Sequence, residues 1–161
     1  MKEIFKMPDT ARVWIYVADR LLNEGEEAAI RREAQQFIDQ WSSHGTQMDA
    51  SAELLHHRIL VIAADEEKAL ASGCGIDKSV KFVQQLGASF GIDFFKRTIV
   101  LYRKEGEIEE SALNVFWAMR KAGLVSDETI IFDNTVKNIG ELRSAWEVPF
   151  SKSWHNEMWL R

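Results

Sequence analysis

The segment Arg58–Ala64, with the sequence RILVIAA, constrains the fold more than any other part of the chain. A strand with one face in water alternates apolar and polar residues, whereas Ile59–Ala64 is apolar without interruption. We therefore expect a strand that is buried on both faces. The run is also far too short to span a bilayer, which needs about 20 apolar residues.

The rest of the chain predicts a sequence of strands and helices around this segment. Arg12–Ala18 is β-branched and aromatic, as strands are. Asn23 and Glu26 form a capping-box pattern for a helix that ends near Gly45. A weaker strand, Gln47–Leu55, is expected to form a hairpin with Arg58–Ala64, turning at His56-His57.

Five more elements and a turn are predicted from Asp77 to the C-terminus. Asp77 is the expected N-cap of a helix that ends at Gly91, and Lys104-Glu105-Gly106-Glu107 is a predicted turn. The other predictions are a strand at Arg97–Tyr102, a helix from Leu113 to Gly123, a strand at Thr129–Phe132 and a helix from Ile139 to Trp146.

The order β-α-β-β-α-β up to Tyr102 predicts an α+β fold with a ferredoxin-like core and a C-terminal helix-strand-helix extension. If Gln47–Leu55 is not a strand, the order becomes βαβαβ and predicts an α/β fold with a parallel sheet in three layers. No linker-like segment interrupts the chain, so we expect one α/β-class domain over residues 1–161.

Charge and cysteine content narrow the function classes. The net charge of −5 argues against a nucleic-acid partner, which needs clustered Lys and Arg. Cys74 is the only cysteine, so no intramolecular disulfide can form, which fits a reducing compartment. The first residues lack a signal-peptide pattern, so a cytoplasmic location and no membrane association are expected.

The segment Ile59–Glu66, ILVIAADE, is similar to a Walker B strand that ends in two acids. An NTPase also needs a phosphate-binding GxxxxGK[ST] loop, and the chain has no Gly-Lys dipeptide. Asp77 stands where that loop would have its last glycine. We therefore interpret the segment as a buried strand followed by a polar turn, and an ATPase activity ranks last.

The most distinctive local feature is the segment Ala71–Ser79, with the sequence ASGCGIDKS. A glycine-flanked thiol ahead of a helix lies where the helix dipole favours a thiolate nucleophile or a bound anion. Free cysteines are more often buried and inert, which is the favoured interpretation of Cys74. The candidate ligand-binding residues are Ser72, Gly73, Cys74, Gly75, Asp77, Lys78 and Ser79.

A thiol nucleophile needs a base, and the candidates are His44 and His57. We expect His44 at the C-terminus of the first helix. His56 and His57 point to opposite faces if they lie in a strand. No group of residues has zinc-ligand spacing, and neither a metal nor a cofactor is predicted.

The C-terminal segment Trp146–Trp159, WEVPFSKSWHNEMW, is too apolar for a disordered tail. It either covers the core of its own domain, which is the favoured interpretation, or forms a subunit interface or the aromatic wall of a ligand pocket. The candidate interface residues are Trp146, Phe150, Trp154 and Trp159.

Several segments together resemble a family of small bacterial proteins that often carry the label "ABC transporter ATPase". The resemblance extends over about residues 12–154, and the family commonly has a serine where this chain has Gly75. No activity or site residue comes with it, and the missing phosphate-binding loop contradicts the label. The segments are RVWIY (12–16), WSSHG (41–45), SGCGID with KSVKFVQQLG (72–87), DFFKR (93–97), DETIIFDN (127–134) and WEVPFSKSWH (146–155).

The sequence thus predicts a non-catalytic domain that forms a homodimer and binds either a small ligand, for which an anion is the candidate, or a protein partner. The alternative is a thiol-dependent enzyme that uses Cys74.

Overall fold

A computed structural model describes residues 3–67 and 69–161 of the chain. The chain divides into two units. Unit 1 comprises the residues up to Lys96 together with Lys137–Gly140, and unit 2 comprises Arg97–Val136 together with Glu141–Arg161. The expectation of one domain over the whole length stays a prediction.

Unit 1 is built from a sheet and two long helices, after a short 3-10 helix at Ile4–Lys6. Its elements are β1 (Arg12–Val17), α1 (Glu24–Gln40), β2 (Ser42–Ser43), β3 (Thr46–Gln47), β4 (Asp49–Leu55), β5 (Ile59–Asp65) and α2 (Gly73–Phe90). The predicted capping box of α1 is confirmed, because Glu26 N–H donates to the side chain of Asn23. The predicted hairpin of β4 and β5 is also confirmed, with its turn at His56-His57.

Strand β5 is the centre of the unit 1 sheet. The strand order is β1-β5-β4 and both pairings are antiparallel. Every residue from Ile59 to Ala64 is at most 1% exposed, so burial on both faces is confirmed. One face packs against α1 and α2, whose apolar stripes include Ile30, Ile38, Val83 and Leu86.

Unit 2 contains a second sheet, of order β7-β6-β8-β9, in which all pairings are antiparallel. Its elements in chain order are β6 (Ile99–Lys104), β7 (Glu107–Ala112), α3 (Leu113–Lys121), β8 (Ile130–Phe132), α4 (Ile139–Ser144), β9 (Glu147–Pro149) and α5 (Trp154–Trp159). Helix α4 begins in unit 1 and ends in unit 2.

Mixed helices and sheets are therefore confirmed, and the parallel-sheet alternative is wrong because the ladders formed by residues 3–67 and 69–161 are all antiparallel. The four-stranded ferredoxin-like sheet is not confirmed. Strand β6, which was expected to be the fourth strand of this sheet, pairs with β7 and β8 in unit 2. The edge of β1 that does not pair with β5 carries an isolated bridge between Arg12 and Asn138. Strand β7 was not predicted, because Glu107–Ala112 is largely exposed and carries little apolar pattern.

The turn between β6 and β7 is the predicted one, and its geometry yields a stability prediction. Lys104 pairs with Glu107, which leaves Glu105 and Gly106 as the turn residues, both with positive φ (53° and 82°). Asn-Gly suits such a turn best. We expect Glu105→Asn to raise the free energy of unfolding by about 1 kcal/mol, measured by urea denaturation. Glu105→Val is the control and should lower it; equal stability of the two variants would contradict the turn assignment.

Candidate functional site

A short hairpin follows α1 where the sequence predicted the end of that helix. Helix α1 ends at Gln40, and β2 and β3 pair through Ser42–Gln47 and Ser43–Thr46. His44 and Gly45 form the turn with positive φ values of 50° and 80°. The prediction of His44 at the C-terminus of α1 is therefore wrong, since a hairpin takes up the residues that were expected to end the helix.

Helix α2 begins earlier than predicted. Its N-cap is Ser72, whose side chain accepts the N–H of Gly75 at 3.2 Å, so Gly73–Gly75 form the first turn and not a loop. Asp77 lies inside the helix, where it forms an ion pair with Lys81. The sequence missed this start because a serine cap on two glycines is a weaker helix signal than Asp77 ahead of an apolar stripe.

The hairpin is joined to the first turn of α2 by three hydrogen bonds. The indole N–H of Trp41 donates to the carbonyl oxygen of Gly75 at 3.0 Å. Ser43 Oγ donates to Ser72 Oγ at 2.9 Å and accepts the backbone N–H of Ser72 at 3.4 Å. Ser43 and Gly75 are buried at this contact. The segments WSSHG and SGCGID, far apart in the sequence, therefore form one local structure.

Position 75 has space for the serine that the resembled family has there. A Cβ built on Gly75 would lie 3.6 Å from both Cβ and Oγ of Ser43, which is ordinary van der Waals contact. Gly75 is therefore not required by close packing at this contact.

Two backbone N–H groups remain available at the start of α2. A helix leaves its first four N–H groups without intrahelical acceptors. Those of Ser72 and Gly75 are satisfied by the two serine hydroxyls. Among residues 3–67 and 69–161, none accepts the N–H of Gly73 or Cys74. The positive end of the helix dipole lies at the same place.

An open groove of about 620 Å³ lies beside this helix start. Hydroxyl groups, an imidazole, a guanidinium and a carboxylate all contribute to its wall. The lining residues are Arg12, Ser43, His44, Thr46, Glu66, Ala69, Leu70, Ala71 and Ser72.

The charged groups of the groove are held in place by neighbours. Glu66 accepts the backbone N–H of Ala71 at 2.7 Å, and its other oxygen lies 3.8 Å from the guanidinium of Arg12. Arg12 also lies over the ring of Trp14, 5.0 Å from the ring centroid. Trp14 in turn contacts Trp41 edge to face. The same aromatic pair therefore supports both Arg12 and the hairpin.

Of the residues proposed from Ala71–Ser79, Ser72 lines the groove, and Gly73 and Cys74 follow it in the helix. The others lie elsewhere: Ser79 is buried and donates to the carbonyl oxygen of Ile76, while Asp77 and Lys78 are exposed on α2. Sequence reasoning missed Arg12, Thr46 and Glu66 as lining residues. Glu66 drew notice only as an acid of the Walker B-like segment, and no local pattern groups it with Arg12 and Thr46, because the three are brought together only by the sheet and the hairpin.

Cys74 is exposed, so the expectation of a buried thiol is wrong, while its reactivity stays a prediction. The first helical turn places it on the outside, while Gly75 faces Ser43. His44 lines the groove that Ser72 also lines.

His57 is not available as a base for this thiol. It precedes β5, whereas Glu66 of the groove follows that seven-residue strand, so the two ends are about 20 Å apart. The Nδ1 atom of His57 instead lies 3.1 Å from the carboxylate of Glu27.

The C-terminal aromatic residues divide into buried and exposed ones. Trp146 and Phe150 are buried in unit 2, where Trp146 donates to Asn134 and Phe150 packs against Phe116. Trp154 is half-buried, and Trp159 is 37% exposed with its ring against Trp117. An interface through this segment would therefore use Trp159 and leave Trp146 and Phe150 in the core.

Comparisons with protein-family models, with curated proteins and with solved structures gave no match to this chain. The helices of the described part of the chain include none long and apolar enough to cross a membrane. Residues 3–67 and 69–161 also contain no group of three or more His, Cys, Asp or Glu side chains placed to hold a metal ion.

His155, whose ring contacts those of Trp154 and Phe116, should make the free energy of unfolding depend on pH. Burial lowers the pKa of His155 to about 4, against the opposing effect of Asp133, which raises it. Unfolded His155 takes up a proton below pH 6.5 while the folded form stays neutral. Stability should therefore fall as the pH drops from 6.5 towards 4, by about 2 kcal/mol between pH 7 and 5.

Urea denaturation at pH 7, 6 and 5 measures this loss. In His155→Phe the loss over this range should shrink, whereas His44→Gln, a change at an exposed histidine, should retain it. An unchanged pH-dependence in His155→Phe would contradict the assignment.

Proposed function

We propose that this chain is a non-catalytic ligand-binding domain, and that its groove beside α2 binds a small anion. The observation that carries the proposal is the pair of N–H groups of Gly73 and Cys74, which have no acceptor in the described residues, next to the groove residue Ser72. Backbone N–H groups at a helix start bind carboxylates and phosphates well.

The groove supplies two further groups that favour an anion. Arg12 contributes a permanent positive charge with several donors. His44 contributes an imidazole that can donate a hydrogen bond from either ring nitrogen. Ser43 and Ser72 support the site indirectly, because their hydrogen bonds hold the hairpin against the first turn of α2.

A proline substitution tests the backbone donors directly. Proline is favoured at the first helical position, and Ser72 already has the extended backbone (φ −63°, ψ 167°) that a following proline prefers. Gly73→Pro therefore removes one N–H group while keeping the helix start. We expect it to weaken acetate binding about tenfold, measured from the amide chemical shift of Cys74.

Gly73→Ala is the matched control, since a Cβ at this position meets nothing within 4 Å and the N–H group stays. It should bind acetate like the unmodified chain. Acetamide, which has no charge, should not shift the Cys74 amide. Absence of any acetate-dependent shift, or equal binding by Gly73→Pro and Gly73→Ala, would overturn the proposed function.

The second candidate function is that of a thiol-dependent enzyme. It is favoured by one observation: Cys74 is exposed at the second position of α2, and His44 lines the adjoining groove. A thiol at a helix start, close to a base, is activated as a nucleophile.

Alkylation kinetics test the second candidate. If it holds, iodoacetamide should modify Cys74 at pH 7 about tenfold faster than it modifies N-acetylcysteine. His44→Gln should remove this acceleration, whereas His57→Gln, at the other end of β5, should leave it unchanged. A rate equal to that of N-acetylcysteine would exclude an activated thiol.

The remaining expectations stay predictions. A homodimer would have Trp159 and Leu160 available for an interface, since both are exposed at the end of unit 2. The resemblance to the small bacterial family and the cytoplasmic location stay predictions from the sequence, and an ATPase activity stays the last-ranked alternative.

A further inference from the structure

The turn between β4 and β5 places two histidines in a backbone conformation that is uncommon for residues other than glycine. His56 and His57 have φ values of 52° and 62°, and the N–H of Arg58 donates to the carbonyl oxygen of Leu55 across the turn at 3.1 Å. Turns of this type favour Asn-Gly and Asp-Gly. A sequence that departs from such a local rule is most often found at a functional site, which directs attention to the imidazole of His57.

A buried carboxylate fixes the ring of His57. Its Nδ1 atom lies 3.1 and 3.2 Å from the two carboxylate oxygens of Glu27, whose side chain is only 9% exposed. A carboxylate accepts hydrogen bonds and donates none, so the one proton of the neutral imidazole is held at Nδ1. The lone pair of the ring is therefore at Nε2.

Both members of this pair are held by further contacts within unit 1. Arg31, one turn further along α1, lies 3.8 Å from the carboxylate of Glu27 and donates to the carbonyl oxygen of Leu54 at 3.2 Å. The carbonyl oxygen of His57 accepts the N–H of Leu22 at 3.0 Å. The carboxylate and the imidazole thus have fixed positions relative to each other.

Nε2 of His57 is the atom that this arrangement leaves to react. The side chain of His57 is 73% exposed, and none of residues 3–67 and 69–161 forms a hydrogen bond with Nε2. A carboxylate bonded to one ring nitrogen fixes the orientation of the imidazole and raises the basicity of the other nitrogen. An imidazole of this kind can attack an electrophile and form a covalent bond with it.

We propose that His57 is a phosphoryl-accepting residue whose Nε2 atom takes the group from a donor with a labile P–N bond. The lone pair of Nε2 forms a bond to phosphorus while the P–N bond of the donor breaks. The donor nitrogen, protonated beforehand, leaves as a neutral amine with the electron pair of that bond. The proton at Nδ1 stays hydrogen-bonded to Glu27, whose carboxylate balances the positive charge that the ring gains.

The surroundings of His57 favour a phosphoryl group over an acyl group. Acyl-imidazoles hydrolyse quickly in water, whereas phosphoryl-imidazoles persist longer at neutral pH, and this ring is exposed to solvent. Arg31, which faces the same carboxylate and is 47% exposed, also places a positive charge close to the incoming anionic group.

Phosphoramidate is the probe, because it is a small donor with a labile P–N bond. The chain is incubated with it at neutral pH, peptide mass spectrometry follows the modification of His57, and phosphorus NMR distinguishes Nε2 from Nδ1. His57 should react about tenfold faster than N-acetylhistidine, and at Nε2 only. In the urea-unfolded chain the rate should fall to that of N-acetylhistidine, because Glu27 no longer contacts the ring.

Glu27→Gln separates the carboxylate from the imidazole. Glutamine has nearly the same shape, but its amide can donate as well as accept, so the proton is no longer fixed at Nδ1. The rate should fall about tenfold and the phosphoryl group should appear at both ring nitrogens. Glu24→Gln is the matched control: it removes an exposed carboxylate from the first turn of the same helix, and it should keep both the rate and the selectivity for Nε2.

Two further measurements keep the proposal open to contradiction. If urea denaturation shows that Glu27→Gln does not fold, nitrogen NMR of the unmodified chain must still find the imidazole proton of His57 at Nδ1. A rate equal to that of N-acetylhistidine, reaction at Nδ1, or an unchanged rate in folded Glu27→Gln would overturn the proposal and leave Glu27 as a group that only holds the turn. The result does not depend on the proposed function, because the groove lies at the other end of β5.

Discussion

The hydrogen bond between Ser43 and Ser72 is the interaction on which the candidate site depends. It joins the β2–β3 hairpin to the N-cap of α2, 29 positions apart in the chain. Because Ser43 also accepts the backbone N–H of Ser72, while Ser72 caps Gly75, the two hydroxyls satisfy two of the four N–H groups at the helix start. The remaining two, of Gly73 and Cys74, are the ones that the proposed function uses.

The position of this contact follows from the sheet. Strand β5 is buried on both faces and paired on both edges, so the segment that leaves it at Asp65 must emerge at the sheet's end and turn there before α2 begins. Glu66 holds that segment by accepting the N–H of Ala71, and Arg12, at the first position of the neighbouring strand β1, faces Glu66. The groove is thus lined by the first residue of β1, by the segment that follows β5 and by the hairpin.

The sequence predicted most of the elements but not how they meet. The capping box at Asn23 and the apolar run after Arg58 are local signals, and both predictions are confirmed. The start of α2 rests on the weak local signal of a serine cap followed by glycines, and the contact between Ser43 and Ser72 joins two distant segments, which no local pattern shows. The second sheet was missed for a similar reason, since the exposed strand β7 is held by pairing with β6 and not by its own apolar residues.

A double-mutant cycle on Ser43 and Ser72 tests the central contact most directly. The free energies of unfolding of Ser43→Ala, Ser72→Ala and the double variant are compared with that of the unmodified chain by urea denaturation. If the hydroxyls are bonded as described, the double variant should be less destabilised than the sum of the single variants, by about 1 kcal/mol. Strictly additive effects would mean that the hairpin is not joined to α2 through this pair, and would contradict the account of the site.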